Sequence, residues 1–525
     1  MGRSRRYRER IEAETRSVAV KGVSAVIARA LRTEFGRSRM EAEALAARSV
    51  AWLPALGVGL APGRATLSVP ATASRRWARE RRRMATLSLV DVERDTEAWR
   101  RWGLPALQRA RAVRWLLEVH RQGGWASLSE VAAWANLTPT ALSSRLRPLR
   151  EVGVWLPHVG GPAASDAAWG VEAWLLGRHL GGGDLAAALE LAGYGDAAWR
   201  GVLEAAARMM ALHEAGTEPE EIAGVVGRSV REVREGLRVV ADHGGLDLPA
   251  VSALPPSQAR GEEIEGELVE RFGFSRVAAG LYRAWLARLA GELAAPGAGE
   301  GELTFFAIDA GEGARAKLTE AKLVPVRLTF ITDADLALGP RGLVPTRVAE
   351  MKFARIERLA RQAREQGALL TLPDLAVLLG MHVDAIRHHL AEHPDVLVPT
   401  RGRVKDIGRG VSHKTWIVEL YLQMHSESEI VERTQHAYES VEAYLREFAR
   451  VLILADRGMN AVMIRRVTHR SMSLVNGYLE LYRRYDRPEH HFRLSQLRDA
   501  FTREDLLGGE KGGHHRASRT GDGTP

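Results

Sequence analysis

The chain has 525 residues, with 74 Lys and Arg against 65 Asp and Glu, a formal charge of +9, 46% apolar and 26% charged residues, and no Cys. This is the composition of a globular protein rather than a disordered one, and the length of about three or four ordinary domains. The lack of Cys excludes a disulfide framework, thiolate-held zinc, iron–sulfur ligation and a Cys nucleophile.

The charge is unevenly spread. Residues 1–150 hold 29 basic and 13 acidic residues, 151–250 hold 7 and 15, and 251–525 hold 38 and 37. The positive field therefore belongs to the first 150 residues, as expected of a surface that meets nucleic acid or another polyanion. The N-terminal arginines (Arg3, Arg5, Arg6, Arg8, Arg10) alternate with Glu9, Glu12 and Glu14, unlike a secretory signal. The longest apolar run, 51–62, is too short for a membrane span and contains Pro54, Gly57 and Gly59. The expected location is the cytoplasm, with no membrane partner.

In chain order, a helical segment is expected over 20–55. A β-hairpin comes after it, with β-branched and alternating strands near 65–70 and 85–91. Its connection carries Arg75, Arg76, Arg79, Arg81, Arg82 and Arg83 around Trp77, a candidate for phosphate contact or simply an exposed basic turn. A long helix spans 104–121. Then comes the first of several patterns that fit a helix-turn-helix: small and apolar inward residues, a turn tolerant of left-handed backbone, and a capped second helix. In pair A (128–146), Val131 and Ala132 face inward, Asn136 makes the turn, Thr138 caps with Pro139 behind it, and Leu142 and Leu146 anchor. Its groove-facing candidates are Thr138, Thr140, Ser143 and Ser144, with Arg145 and Arg147 toward phosphate.

Pair B (185–203) is weaker. Pair C (220–237) has Gly227 at the turn, a Ser229 cap, and Arg228, Arg231 and Arg234 along one side; Glu232 and Glu235 oppose a deep groove position. Gly and Pro punctuate 242–262. The plan then repeats: helix over 262–293, strands near 303–309 and 323–331, a long helix over 344–365, and pair D (372–390). Pair D places Gly380 where pair A has Asn136, with His382, Arg387 and His388 as its groove candidates and Asp384 opposing them. Next is a Gly-rich basic loop with Arg401, Arg403, Lys405, Arg409 and Lys414, suited to a wing or arm on phosphate, to an anion nest, or to a solvated connector. Pair E (427–445) and pair F complete the series; pair F has Ile464 inside, a Ser471 cap, and Arg470, Ser473 and Asn476 as candidates. Arg and Asn are the side chains with bidentate pairings to bases. The tail beyond Leu507 is polar and Gly-rich, and is expected to be disordered.

The repetition can be read residue by residue. Phe35-Gly36 is echoed by Phe272-Gly273, Gln122-Gly123 by Gln366-Gly367, and Trp169 by Trp416. Gly216, Ile222, Arg228, Ser229, Val233 and Leu237 are echoed by Gly458, Ile464, Arg470, Ser471, Val475 and Leu479. Matches in one order at nearly one offset point to a tandem duplication.

The phrases Val398-Pro399-Thr400-Arg401-Gly402, Asp406-Ile407-Gly408-Arg409-Gly410-Val411-Ser412-His413-Lys414, Glu419-Leu420-Tyr421-Leu422 and Val441-Glu442-Ala443-Tyr444-Leu445 resemble the prokaryotic family called domain of unknown function 1670, best over 327–482. The resemblance implies a multi-helical protein containing helix-turn-helix units, with no assigned catalytic residues. The first half departs from it, reading His158-Val159-Gly160-Gly161-Pro162 where the second half has the basic loop.

Enzyme signatures are weak. His389 and His393 lie four apart, but no Glu partner or third ligand accompanies them. No GxxxxGK[ST] loop is present, Ser412-His413-Lys414 are adjacent rather than convergent, and Asp333 and Asp335 stand without a further carboxylate.

The sequence therefore predicts a mainly α, multi-helical protein with repeated helix-turn-helix units and a short β-hairpin in each of two tandem halves. The halves are expected at 1–245 and 263–507, with a linker at 246–262 and a tail at 508–525. The expected function is DNA binding, as a transcriptional regulator or mobile-element accessory protein, without catalysis, cofactor or metal. The alternatives are a helical adaptor and, third, an enzyme or recombination factor acting on nucleic acid. A homo-oligomer or protein partner is compatible with either binding reading.

Overall fold

The computed structural model describes residues 2–56, 62–161, 169–243, 261–293, 299–336 except 315 and 319, 344–393, 396–405, 412–434 and 438–501. It is mainly helical and divides into two compact units, Met1–Arg401 and Gly402–Pro525.

Unit 1 runs α1 (Gly2–Ala19), α2 (Val23–Thr33), α3 (Arg39–Trp52), β1 (Arg64–Pro70), β2 (Arg82–Ser88), α4 (Val92–Trp102), α5 (Leu104–Arg121), α6 (Leu128–Trp134), α7 (Pro139–Glu151), α8 (Val171–Leu180), α9 (Leu185–Ala192), α10 (Asp196–Glu214), α11 (Pro219–Val226) and α12 (Val230–Asp242). It continues with α13 (Gly261–Glu270), α14 (Arg276–Leu293), β3 (Glu302–Asp309), β4 (Leu323–Thr329), α15 (Asp333–Leu336), α16 (Pro345–Glu365), β5 (Ala368–Leu369), α17 (Leu372–Leu379) and α18 (Val383–Glu392). The short α19 (Arg401–Val404) lies at the division. Unit 2 then holds α20 (Ser412–Leu422), α21 (Glu427–Thr434), α22 (Tyr438–Asp456), α23 (Ala461–Thr468), α24 (Met472–Tyr485) and α25 (His491–Phe501).

The hairpins form where apolar residues alternate. Ala65, Leu67 and Val69 on β1 and Ala85 and Leu87 on β2 are buried, and Leu303 and Phe305 repeat the pattern on β3. β1 pairs antiparallel with β2, Arg64 opposite Ser88; β3 pairs antiparallel with β4, Glu302 opposite Thr329, and with β5 on its other edge. The hairpins then bond to each other reciprocally. The Gly63 N–H donates to the Thr304 carbonyl (2.8 Å) and the Gly301 N–H to the Thr66 carbonyl (2.9 Å). Both glycines have positive φ (78° and 77°). A methyl at Gly63 would collide with the Val90 carbonyl, and one at Gly301 with the Ile331 carbonyl. Gly301→Ala is therefore expected to destabilise unit 1 by about 2–4 kcal/mol in urea unfolding; a loss below about 1 kcal/mol would contradict the crossing.

The same reciprocity recurs deeper. Arg111 on α5 donates to the Val377 and Leu378 carbonyls at the end of α17 (2.6 and 2.9 Å), while Arg355 on α16 donates to the Ala133 carbonyl and the Asn136 Oδ1 at the end of α6 (2.9 and 3.0 Å). Each long helix thus donates to acceptors at the C-terminal end of the other half's short helix. Asp95 holds Arg111 and Arg114, and Asp335 holds Arg355 and Arg358. These contacts run in both directions between the first and second halves of unit 1.

The compact units do not coincide with the two expected halves. The segment 246–262 lies almost wholly outside the described residues, and the compact boundary falls at Arg401 instead. The reason is shared core. Leu67, Leu87 and Leu116 from the first half cluster with Leu303, Phe305, Leu359 and Leu375 from the second. Ile27, Leu31 and Trp52 cluster with Ile264, Leu268 and Tyr282. The helices C-terminal to α7 and to α18 take different courses. Helices α8–α12 remain on the unit 1 core, whereas α20–α25 close around their own core of Leu445, Phe448, Leu452 and Tyr478. The element order repeats as read from sequence; α1, α4 and α25 were not anticipated.

Candidate nucleic-acid interface

Four of the expected helix pairs, α6/α7, α11/α12, α17/α18 and α23/α24, share one local geometry. Each turn holds a left-handed residue: Asn136 (φ 56°), Gly227 (64°), Gly380 (60°) and His469 (55°). Asn and Gly suit that backbone; His469 was not identified from sequence. Thr138, Ser229 and Ser471 cap the second helices, accepting from the amides of Ala141, Glu232 and Leu474.

The outer faces of these second helices differ. On α7, Thr140, Ser144 and Arg147 are exposed in an i, i+4, i+7 stripe, with Ser143 half-buried beside them. Thr138 is half-buried at the cap. Arg145 is turned inward and donates to the Gln108 side chain (3.1 Å), so it is not placed for phosphate.

On α12 the expected arginines are committed internally. Arg228 pairs with Glu172 (2.7 Å), and Arg231 with Glu235 (2.5 Å) while lying over the Trp155 ring. Arg121 bridges Glu172 and Glu232 (2.8 and 2.7 Å). Burial alone would raise the Glu172 carboxyl, but Arg121 and Arg228 outweigh it and hold it at about 2. Arg234 is exposed and pairs with Glu220. The acidic residues that argued against this helix in a groove are what fix it to α5 and α8. Glu172→Ala is expected to cost about 2–3 kcal/mol in chemical denaturation, since it leaves two largely buried guanidiniums short of a partner; no measurable loss would show the network to be incidental.

The first turn of α18 is covered by α1. Arg10 pairs with Asp384 (2.6 Å), and the Tyr7 hydroxyl lies 3.4 Å from the His382 Nδ1. Burial lowers the His382 pKa. The end of α1 is anchored by Lys21 and Asp374, an ion pair at 2.5 Å with neither side chain exposed. His382 is therefore not open to a base edge. Arg387 and His388 are exposed, but they pair with Asp384 and Glu392. His393 stacks on Phe353, and among the described residues no group of three or more His, Asp or Glu is arranged to hold a metal.

In unit 2 the α23/α24 pair packs on α22 and keeps its outside open. Asn476 is exposed, and Arg470 is half-exposed while pairing with Glu447 (2.5 Å). The side chain of Ser473 lies outside the described residues. Arg465 and Arg466 on α23 are exposed and, among the described residues, form no ion pair. The sequence reading missed both; the signal was two adjacent arginines just before the turn.

The basic loop is partly corrected. Arg401 is 7% exposed, and its guanidinium donates to the Gly313 and Ala316 carbonyls (3.0 and 3.2 Å) in the β3–β4 connection. Arg403 and Lys405 are half-buried, and burial lowers the Arg403 pKa. Lys414 is buried, 3.5 Å from Glu447 and over the Tyr444 ring. Arg409 lies outside the described residues. Arg401→Ala is thus expected to cost about 1–3 kcal/mol of stability through orphaned carbonyls and to leave any salt-dependent DNA binding unchanged; a flatter salt slope would return Arg401 to the interface.

The β1–β2 connection fits its expected exposure. Arg75, Arg76, Arg79, Arg81 and Arg83 are exposed, and Arg76 and Arg81 flank the Trp77 ring at 4.9 and 5.6 Å. Arg82 is tied to Ser68 and Glu130.

Residues 294–481 match the model of a family described as a protein of unknown function, DUF1670. The match overlaps the resemblance read from sequence up to residue 481 and extends it upstream to residue 294, ahead of the second hairpin. No curated protein and no solved structure matches the chain. No helix among the described residues is long and apolar enough to cross a membrane.

Proposed function

We propose that this protein binds duplex DNA through helix-turn-helix modules and acts as a transcriptional regulator or as an accessory factor of a mobile element. The observation that carries this reading is the α22–α24 arrangement. A left-handed turn at His469 and a Ser471 cap present a second helix whose neighbourhood is basic and open, with Arg465, Arg466, Arg470 and Asn476 on the outside. Guanidiniums beside the start of such a helix reach phosphate, and Asn on its outer face has the donor–acceptor pair that reads adenine. The exposed stripe of α7 and the arginines around Trp77 support a second contact surface in unit 1. The experiment is retention of the full chain on random-sequence duplex DNA, followed by selection of bound sequences. The reading expects binding below about 0.1 M salt that weakens steeply as salt rises; no retention at low salt overturns it.

One observation favours a protein partner for the same module. Val462, Met463 and Val467 are exposed on α23, 42–54% each, alongside the arginines. Apolar surface of that kind, rimmed by charge, suits a protein contact better than a phosphate one. A regulator that touches DNA with α24 and a second protein with α23 satisfies both.

A further inference from the structure

The two halves of unit 1 differ where the hairpin tip meets the segment after the second helix of the pair. In the second half this segment delivers Arg401. Its N–H donates to the Leu370 carbonyl (2.8 Å), and its guanidinium fills the space under the β3–β4 connection by donating to carbonyls there. In the first half the backbone does the same thing: the Val159 N–H donates to the Ala126 carbonyl (2.9 Å). Val159 has no guanidinium to offer, and in place of a filled site there is a cavity of about 780 Å³ under the β1–β2 connection. The cations come from the hairpin instead: Arg75, Arg79 and Arg82 line the cavity, as do Ser129 and His158.

Three arginines and three carboxylates line this cavity, but they are not all paired with one another. Arg82 is matched by Glu130 at 2.8 Å. The carboxylate of Glu300 accepts the Ser68 N–H (2.6 Å), and Asp333 sits exposed at the rim. Arg75 makes a single long bond to the Gly160 carbonyl (3.4 Å), and Arg79 makes neither hydrogen bond nor ion pair among the described residues. Two guanidiniums therefore line the cavity without a carboxylate partner among those residues. The His158 Nδ1–H donates to the Leu156 carbonyl (2.8 Å), and burial lowers the pKa of the ring.

We propose that this cavity binds a small phosphorylated molecule of nucleotide size, with its phosphate between Arg75 and Arg79 beside the Ser129 hydroxyl. Two forked guanidiniums match the oxygens of a phosphate. The volume is that of a small-molecule site, about 300–1,000 Å³. Glu300 and Asp333, which also line the cavity, accept from hydroxyl or amino groups of the same ligand. The site shares Arg75 and Arg79 with the second contact surface proposed around Trp77 but uses neither α7 nor α24, so saturable binding of a small anion tests it without DNA.

The test is equilibrium binding of pyrophosphate and of ADP to the full chain by calorimetry. One saturable site is expected, tighter for ADP than for pyrophosphate. Arg79 is exposed and unpartnered among the described residues, so Arg79→Ala should keep the unfolding midpoint and weaken binding at least tenfold. Val159→Arg should also abolish binding, by placing in the cavity the side chain that fills its counterpart. No saturable binding of either probe at millimolar concentration overturns the proposal, as does unchanged affinity in both variants. Equal weakening by Arg465→Ala overturns it too, since that outcome marks general phosphate attraction rather than a site.

Discussion

Replacing Asp95 by alanine is expected to destabilise unit 1 by about 3–5 kcal/mol. The carboxylate is wholly buried and is the partner of two arginines, Arg111 at 2.7 Å and Arg114 at 3.0 Å, whose side chains are only 3% and 11% exposed. Removing it leaves both charges in the core, and Arg111 also carries the bonds to the end of α17. Burial alone would raise this carboxyl, but the two arginines outweigh it and hold its pKa below the ordinary Asp value. Asp335 is held down in the same way by Arg355 and Arg358. A carboxyl whose folded pKa is depressed adds stability that is complete above its unfolded value, about pH 4, and is lost as pH falls through the lower folded value. Urea unfolding of Asp95→Ala and Asp335→Ala should therefore show large, similar losses at pH 7, with Asp335→Ala the smaller because Arg358 is 21% exposed. The gap from the parent should narrow only below about pH 4. A loss under about 1 kcal/mol for either variant would mean that the paired networks do not hold the two halves together.

Converting Arg465, Arg466 and Arg470 to alanine together should give the largest functional effect. If each reaches one phosphate, the slope of log affinity against log salt flattens by about 2.7, and affinity near 0.1 M salt falls by about two orders of magnitude. Arg465 and Arg466 have no ion pair to lose among the described residues, so the fold of unit 2 should tolerate their removal. Losing Arg470 frees Glu447, which Lys414 also approaches. Asn476→Ala should behave differently, by relaxing sequence preference while leaving the slope in place. Fluorescence anisotropy on a selected duplex across a salt series separates the two. An unchanged slope in the triple variant would move the interface away from α23 and α24.

The amino-acid sequence alone determined the parts that depend on local chemistry. Alternation of Val, Leu and Thr placed both hairpins, 3.6-residue periodicity placed α5 and α16, and Asn136, Gly227 and Gly380 marked turns because few residues tolerate positive φ. The order of elements in the two halves was legible for the same reason. The fate of each arginine was not, because a guanidinium reads the same in sequence whether it faces water, a carbonyl or a carboxylate many residues away. Tertiary packing decided that Arg228, Arg231 and Arg401 serve internal bonds, that α1 closes over His382, and that the compact boundary lies at Arg401 rather than near 250. It also decided that Arg465 and Arg466, two residues of no special context, stay open. The physical reason is that partners such as Arg10 and Asp384, or Arg111 and Val377, are brought together only when the two halves share one core.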